Sequence, residues 1–254
     1  MVECIHRGEV PDRARRRPLR SADRENGSKR LSEPPLESMR EVRMTNDNEA
    51  FARYALSFTS GALLAREAAV AAPIYLQERD WSRVRRLIRE ENLLQTRVSS
   101  SSARLARETV QRLAVLSDEE LGLLVEASPG ERALLLWIAA CRRYRLIGNF
   151  AEEVVRERYL ALTPTLSRSH FDAYVREKSL WHPELTELAP STTTKLRQSL
   201  FRMLADAGLL DGDVIVRALP SHRLLALLCS RDTGESLRFL PLTVDEETAR
   251  DLAR

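Results

Sequence analysis

Seventeen consecutive residues, Glu131–Ile147 (ERALLLWIAACRRYRLI), constrain the fold more than any other stretch. Ala133 through Cys141 is apolar on every side of a helix. A helix of that kind lies inside a core rather than on a surface. Seventeen helical residues span about 25 Å, the width of a small domain. Ser128-Pro129-Gly130-Glu131 marks its start, a capping box with proline at the first helical position. Arg142, Arg143 and Arg145 then crowd its end. The expectation is a helical domain built around this segment, with a basic exit.

A chain of 254 residues can bury a sizeable core in one or two domains without disulfides or metals. Its cysteines, Cys4, Cys141 and Cys229, are odd in number and far apart, a reduced intracellular pattern. The histidines His6, His170, His182 and His222 have no metal-ligand spacing. No apolar run reaches the roughly 18–20 residues of a spanning helix. The expected location is the cytoplasm, with no membrane partner.

The net charge of +3 is local. Residues 1–43 hold 11 Lys/Arg and 8 Asp/Glu, which leaves 29 of each for the rest of the chain. Overall basicity therefore says nothing about nucleic acid; clustering must. Residues 1–43 are polar and read as disordered. Either Met44 is the start of translation, or the segment is a basic tail that adds non-specific affinity.

From Phe51 the pattern is helical. Ala62–Gln77 should kink or end at Pro73. Asp80 caps Trp81–Leu94, and the serines 99–102 read as a turn or cap before Ala103–Leu116. Ser117-Asp-Glu-Glu120 is a second capping box. After Gly148 the helix resumes over Asn149–Tyr159. Leu162-Thr-Pro164 is the expected domain boundary, separating 44–162 from 163–254. In the second part His170–Leu180 is a helix capped by Ser169 with Asp172. Ser191–Thr194 caps an amphipathic helix with Leu196, Leu200, Met203, Leu204 and Ala207 on one face. Gly208 ends it. Val214–Ala218 reads as a strand, Ser221–Cys229 as a helix, Ser236–Leu240 as a second strand, and Thr243 as the cap of a last helix.

Catalytic motifs are scarce. Nine glycines leave no phosphate-cradling loop, and neither HExxH nor GxSxG occurs. No enzyme activity, cofactor or metal is expected. The basic clusters carry more information. Arg83, Arg85, Arg86 and Arg89 crowd the first half of their helix, opposite to the macrodipole's preference. Arg97, Ser101 and Arg104 lie within about 60° of one another if one helix is continuous, with Arg107 extending the group. If the serines begin a new helix instead, its free N–H groups make an anion site beside Arg104. Arg142 and Arg143 are further candidates, although cations there also complement the helix dipole. Lys195, Gln198 and Arg202 would face the major groove if the Lys195–Ala207 helix and the strand at Val214 formed a winged-helix unit. Each cluster reads equally as a solvated or ion-paired surface.

Several blocks in order complete the reading: Ala55-Leu-Ser-Phe-Thr-Ser-Gly61, Glu90-Glu-Asn-Leu-Leu-Gln95, Leu136-Trp-Ile-Ala-Ala-Cys-Arg-Arg-Tyr-Arg145, Trp181-His-Pro-Glu-Leu185 and Leu196-Arg-Gln-Ser-Leu-Phe-Arg-Met-Leu204. From about Phe51 to Leu228 they resemble BrxA, an accessory family of bacterial BREX phage-defence systems. Residues 1–43 fall outside the resemblance, which favours Met44 as the start. The resemblance implies a mainly α protein that is similar in fold to the antitermination factor NusB and that itself binds double-stranded DNA without catalysis. The expected architecture is thus two helical domains, a NusB-like bundle first and then a domain with a small β-hairpin of winged-helix type. The expected partners are double-stranded DNA and other BREX proteins. A protein-interaction scaffold and NusB-like RNA binding are the alternatives.

Overall fold

A computed structural model describes residues 53–59, 62–232 and 234–243. All of them belong to one compact unit, Asn48–Arg254. The tail at 1–43 and the helix expected after Thr243 lie outside the described residues.

The protein is mainly α-helical, as the periodicity predicts. Helix α1 (Ala65–Glu78) starts three residues later than expected, because Leu64 adopts a left-handed conformation with φ of 59°. It continues past Pro73 and ends where Arg79 turns left-handed. Helix α2 (Trp81–Glu90) begins at Asp80, whose carboxylate accepts the Ser82 N–H at 2.8 Å. Helix α3 (Ser99–Leu113) corrects the reading of the serine run. The serines form the first turn, and Val98 is the N-cap without a side-chain bond. The signals for a cap and for a first turn are alike in this sequence, since small polar residues suit both.

Helix α4 (Asp118–Glu126) has both bonds of its capping box. Helix α5 (Pro129–Arg143) is the central segment, and Leu134 through Cys141 are all buried. Ser128 accepts the Glu131 N–H as expected. The helix stops at Tyr144, short of Ile147, because Tyr144 is extended (φ −119°, ψ 95°). The Tyr144 ring packs 5.2 Å from that of Phe58, and its hydroxyl donates to the buried carboxylate of Glu108. Arg112 bonds the same carboxylate at 2.9 Å and the Ala62 carbonyl at 2.6 Å. This buried network fixes where the central helix must end.

A new helical run then starts at once: α6 (Arg145–Phe150), a π-helical turn (Ala151–Arg156) and α7 (Glu157–Leu160). Gly148 permits the close reversal. A Cβ there would lie 2.9 Å from the Cys141 carbonyl oxygen and 3.2 Å from Phe239. Gly148→Ala should therefore destabilise by about 1–3 kcal/mol, read by urea denaturation. A neutral result would show that the α5–α6 junction relaxes freely.

Helix α8 (Arg168–Lys178) is capped by Ser167 with His170, not by Ser169 with Asp172. A short α9 (Pro183–Thr186) precedes α10 (Pro190–Asp206). There Ser191–Thr194 sit inside the first turn rather than capping it, and Thr194 bonds back to the Pro190 carbonyl. The predicted apolar face of α10 is buried throughout. Strands β1 (Leu210–Asp211) and β2 (Val214–Ile215) pair antiparallel around Gly212, whose φ is 58°. Thr165 bridges Val214 on the other side. The small hairpin that the sequence suggested is thus present, with its second strand shortened to Val214–Ile215. Helix α11 (His222–Asp232) follows. The second strand expected at Ser236–Leu240 is instead a 3₁₀ helix, Glu235–Phe239. Its Phe239 carbonyl accepts the Trp137 indole N–H at 2.9 Å, which ties it to the central helix.

Elements on both sides of Leu162 contribute to one hydrophobic cluster, from Tyr54 to Leu242. Tyr54 shows the linkage. Its N–H donates to Glu184 at 2.6 Å, and its ring lies 4.1 Å from that of His182. Burial opposes ionisation of Glu184. The N–H groups of Tyr54 and of Glu184 itself, together with His182, outweigh it and hold the carboxyl below its ordinary 4.5. A carboxyl depressed in the folded state stabilises above its unfolded pKa, and that contribution disappears as pH falls through the folded one. Glu184→Gln should cost about 1–3 kcal/mol at pH 7 and progressively less below 4.5. Chemical denaturation at pH 7 and pH 3 measures this; an equal loss at both would refute it.

Candidate nucleic-acid interface

Helices α2 and α3 pack against each other, which brings the first two arginine clusters onto neighbouring elements. On α2, Val84 and Ile88 point inward, fully buried. That rotation leaves Arg83, Arg85, Arg86 and Arg89 exposed. Arg83 pairs with Glu78, and Arg85 reaches the Ser82 hydroxyl at 3.3 Å. Arg86 and Arg89 have no hydrogen bond or ion pair among the described residues. On α3, Ala106, Val110 and Leu113 are buried, while Arg104 and Arg107 are exposed and equally without a partner.

Arg97 is exposed in the bend before α3, so a continuous helix through Arg97, Ser101 and Arg104 does not form. The second geometry does: the serines open the helix, with Arg104 one turn in. Ser101 and Ser102 donate their N–H groups to the Val98 carbonyl at 3.0 and 3.1 Å, and Ser101 is half-buried. The positive end of the α3 dipole thus lies between Arg97 and Arg104.

The basic exit has another use. Arg142 is 13% exposed and makes four hydrogen bonds to three partners. Its Nη1 donates to both oxygens of Glu120 at 2.7 and 2.9 Å. Its Nη2 reaches Asp232 at 3.1 Å, and its Nε reaches the Ser236 hydroxyl at 2.9 Å. Arg231 bonds the same Glu120, which is wholly buried. Arg142 is therefore held in an ion pair with buried Glu120 and with Asp232. Arg143 is half-buried, with its guanidinium 5.2 Å from the Tyr144 ring centre. On α10, Lys195, Gln198 and Arg202 are all exposed on the face opposite Leu196, Leu200 and Met203. Arg197 lies off that face and pairs with Asp172.

Among the described residues no group of His, Cys, Asp or Glu could hold a metal ion, and no helix is long and apolar enough to cross a membrane. The thiols of Cys141 and Cys229 are free and buried, and burial pushes both upward in pKa.

The BrxA family profile matches residues 52–232. The chain belongs to the BrxA family. A relative called BREX protein BrxA, from Escherichia coli O9:H4 (strain HS), is 28% identical over 151 residues, 59% of this chain and 71% of that one. Another of that name, from Paramagnetospirillum magneticum (strain ATCC 700264 / AMB-1), is 26% identical over 156 residues, 61% of this chain and 78% of that one. An uncharacterized protein from Magnetospirillum magneticum, known from a crystal structure, shares the fold. It has a TM-score of 0.65 at 22% identity and covers 75% of this chain and all of that one. The BrxA match contains α2, α3, α5 and α10 whole, and so every candidate contact. It also contains what periodicity alone missed, the Glu120 ion-pair centre and the Glu108–Arg112–Tyr144 network. Their only sequence signal was an acidic or basic residue on an otherwise buried helix face.

Proposed function

We propose that this chain is a non-enzymatic accessory protein of a BREX phage-defence system that binds double-stranded DNA, chiefly through its phosphates, in the cytoplasm. Membership of the BrxA family and the names of its relatives support the defence role. One observation carries the DNA reading. Arg86, Arg89, Arg104 and Arg107 stand exposed and unpaired on two helices packed together. Their number raises local counter-charge for a polyanion, and guanidinium forks suit phosphate oxygens. Arg83, Arg85, Arg97 and the start of α3 at Ser101 extend this face. Arg143 reaches Gln111 of α3 at 3.5 Å and joins them as a partly engaged cation. Lys195, Gln198 and Arg202 on α10 form a second candidate face, suited to groove contacts.

A second reading, a scaffold for other BREX proteins, draws on Leu180 and Trp181, adjacent large apolar side chains that are 75% and 67% exposed. Gel shift on a random duplex at about 50 mM salt separates the two. Retardation supports DNA binding, and its absence supports the scaffold. Competition with double-stranded RNA tests the NusB-like alternative.

A further inference from the structure

The central helix ends on a cleft of about 440 Å³ between α5, α6 and the C-terminal elements α11 and Glu235–Phe239. Four guanidiniums line it: Arg142, Arg145, Arg231 and Arg238. Two acidic residues, Asp232 and Glu235, share its wall. The four arginines are held in different ways. Arg142 and Arg231 are pinned from beneath by the buried Glu120. Arg238 is held loosely, 3.4 Å from Glu152 and 3.5 Å from Glu235, at 43% exposure. Arg145 is half-buried and has no hydrogen bond or ion pair among the described residues.

A guanidinium partly removed from water without a carboxylate partner loses hydration and gains nothing in return. Arg142, Arg231 and Arg238 are matched by Glu120, Asp232, Glu152 and Glu235, so Arg145 is the guanidinium of the cleft left for an incoming anion. The pinned pair supplies a rigid background, so an entering anion need not order them. The guanidinium fork matches paired oxygens of carboxylate and phosphate alike, but a terminal phosphate offers a third acceptor oxygen for a second arginine across the cleft. The volume lies in the range of small-molecule pockets, about 300–1,000 Å³, and exceeds what one inorganic ion needs.

We propose that this cleft binds a phosphate-bearing ligand of nucleotide size, with Arg145 and Arg238 as its phosphate contacts and Arg142 as the fixed cation behind them. The site is built from elements other than α2 and α3, so it does not rest on the DNA reading. The phosphate belongs either to a free small molecule or to nucleic acid, and the test distinguishes these sources.

Titration calorimetry of the full chain with inorganic pyrophosphate and with adenosine diphosphate, at matched ionic strength, should show saturable binding at one site. Arg145→Ala should weaken it at least about tenfold while leaving the unfolding midpoint unchanged, because Arg145 supports no other group. Glu235→Gln, which removes an exposed carboxylate from the wall, should tighten it about threefold. Heat no larger than that of sodium chloride, or equal affinity in Arg145→Ala, overturns the proposal. If Arg145→Ala does not fold, unchanged or weaker binding by Glu235→Gln overturns it instead. Duplex affinity of the Arg145→Ala protein then assigns the source. Unchanged duplex binding makes the ligand a free small molecule, and a parallel loss makes it a nucleic-acid phosphate.

Discussion

Glu120→Ala is expected to lower the unfolding midpoint by roughly 10 °C, the largest loss from any single substitution considered. The Glu120 carboxylate is wholly buried. It accepts the Ser117 N–H at 2.8 Å, which completes the α4 capping box. It also accepts Arg142 twice, and Arg231. Removing one partner of a buried ion pair costs about 3–5 kcal/mol, because the other charge stays behind. Here that charge is Arg142, at 13% exposure, and it keeps Asp232 as its carboxylate partner. Each kcal/mol moves the midpoint by about 2–4 °C in a domain of this size. The Glu120→Leu/Arg142→Met pair removes both charges and should recover more than half of the loss, although the cap stays broken. A calorimetric midpoint within about 3 °C of the parent for Glu120→Ala would mean that the ion pairs contribute little.

The sequence reveals elements where the signal is local, and obscures them where a distant partner decides. The central helix, the Ser117–Glu120 capping box and the Ser128 half of the other were legible because their residues lie within one turn of one another. The end of that helix was not. Leu146 and Ile147 continue the apolar pattern, whereas Tyr144 breaks it to reach Glu108, 36 residues away. Likewise Ser236–Leu240 alternates polar and apolar residues, as a strand does. It forms a 3₁₀ turn because Gly234 is left-handed before it and Trp137 claims the Phe239 carbonyl. On α2 and α3 the sequence already grouped the arginines, and the burial of Val84, Ile88, Ala106 and Val110 turns them outward. It could not show which arginines are neutralised. Arg142 and Arg86 look alike in the sequence; Asp232, 90 residues from Arg142, is part of the difference.

That difference makes the arginine groups separable by experiment. Changing Arg86, Arg89, Arg104 and Arg107 together to alanine should reduce the slope of log affinity against log salt by roughly 3–4 on duplex DNA, at about 0.9 per lost phosphate contact. The same relation puts the affinity loss near 0.15 M salt on the order of a thousandfold. Lysine at all four positions should keep most of the slope, since charge rather than the fork dominates counterion release. The parent protein should bind A·T-rich and G·C-rich duplexes within a few-fold of each other, because phosphate contacts carry no sequence information. Lys195→Ala/Gln198→Ala/Arg202→Ala separates the two faces. If α10 reads the major groove, this triple change alters the preference among duplex sequences while removing at most two charges from the slope. Fluorescence anisotropy across a salt series measures all of these. A slope unchanged by the four alanines, in a protein that still binds duplex, would move the interface away from α2 and α3. If the α10 variant then lost both slope and affinity, the winged-helix-like half would be the DNA-binding face.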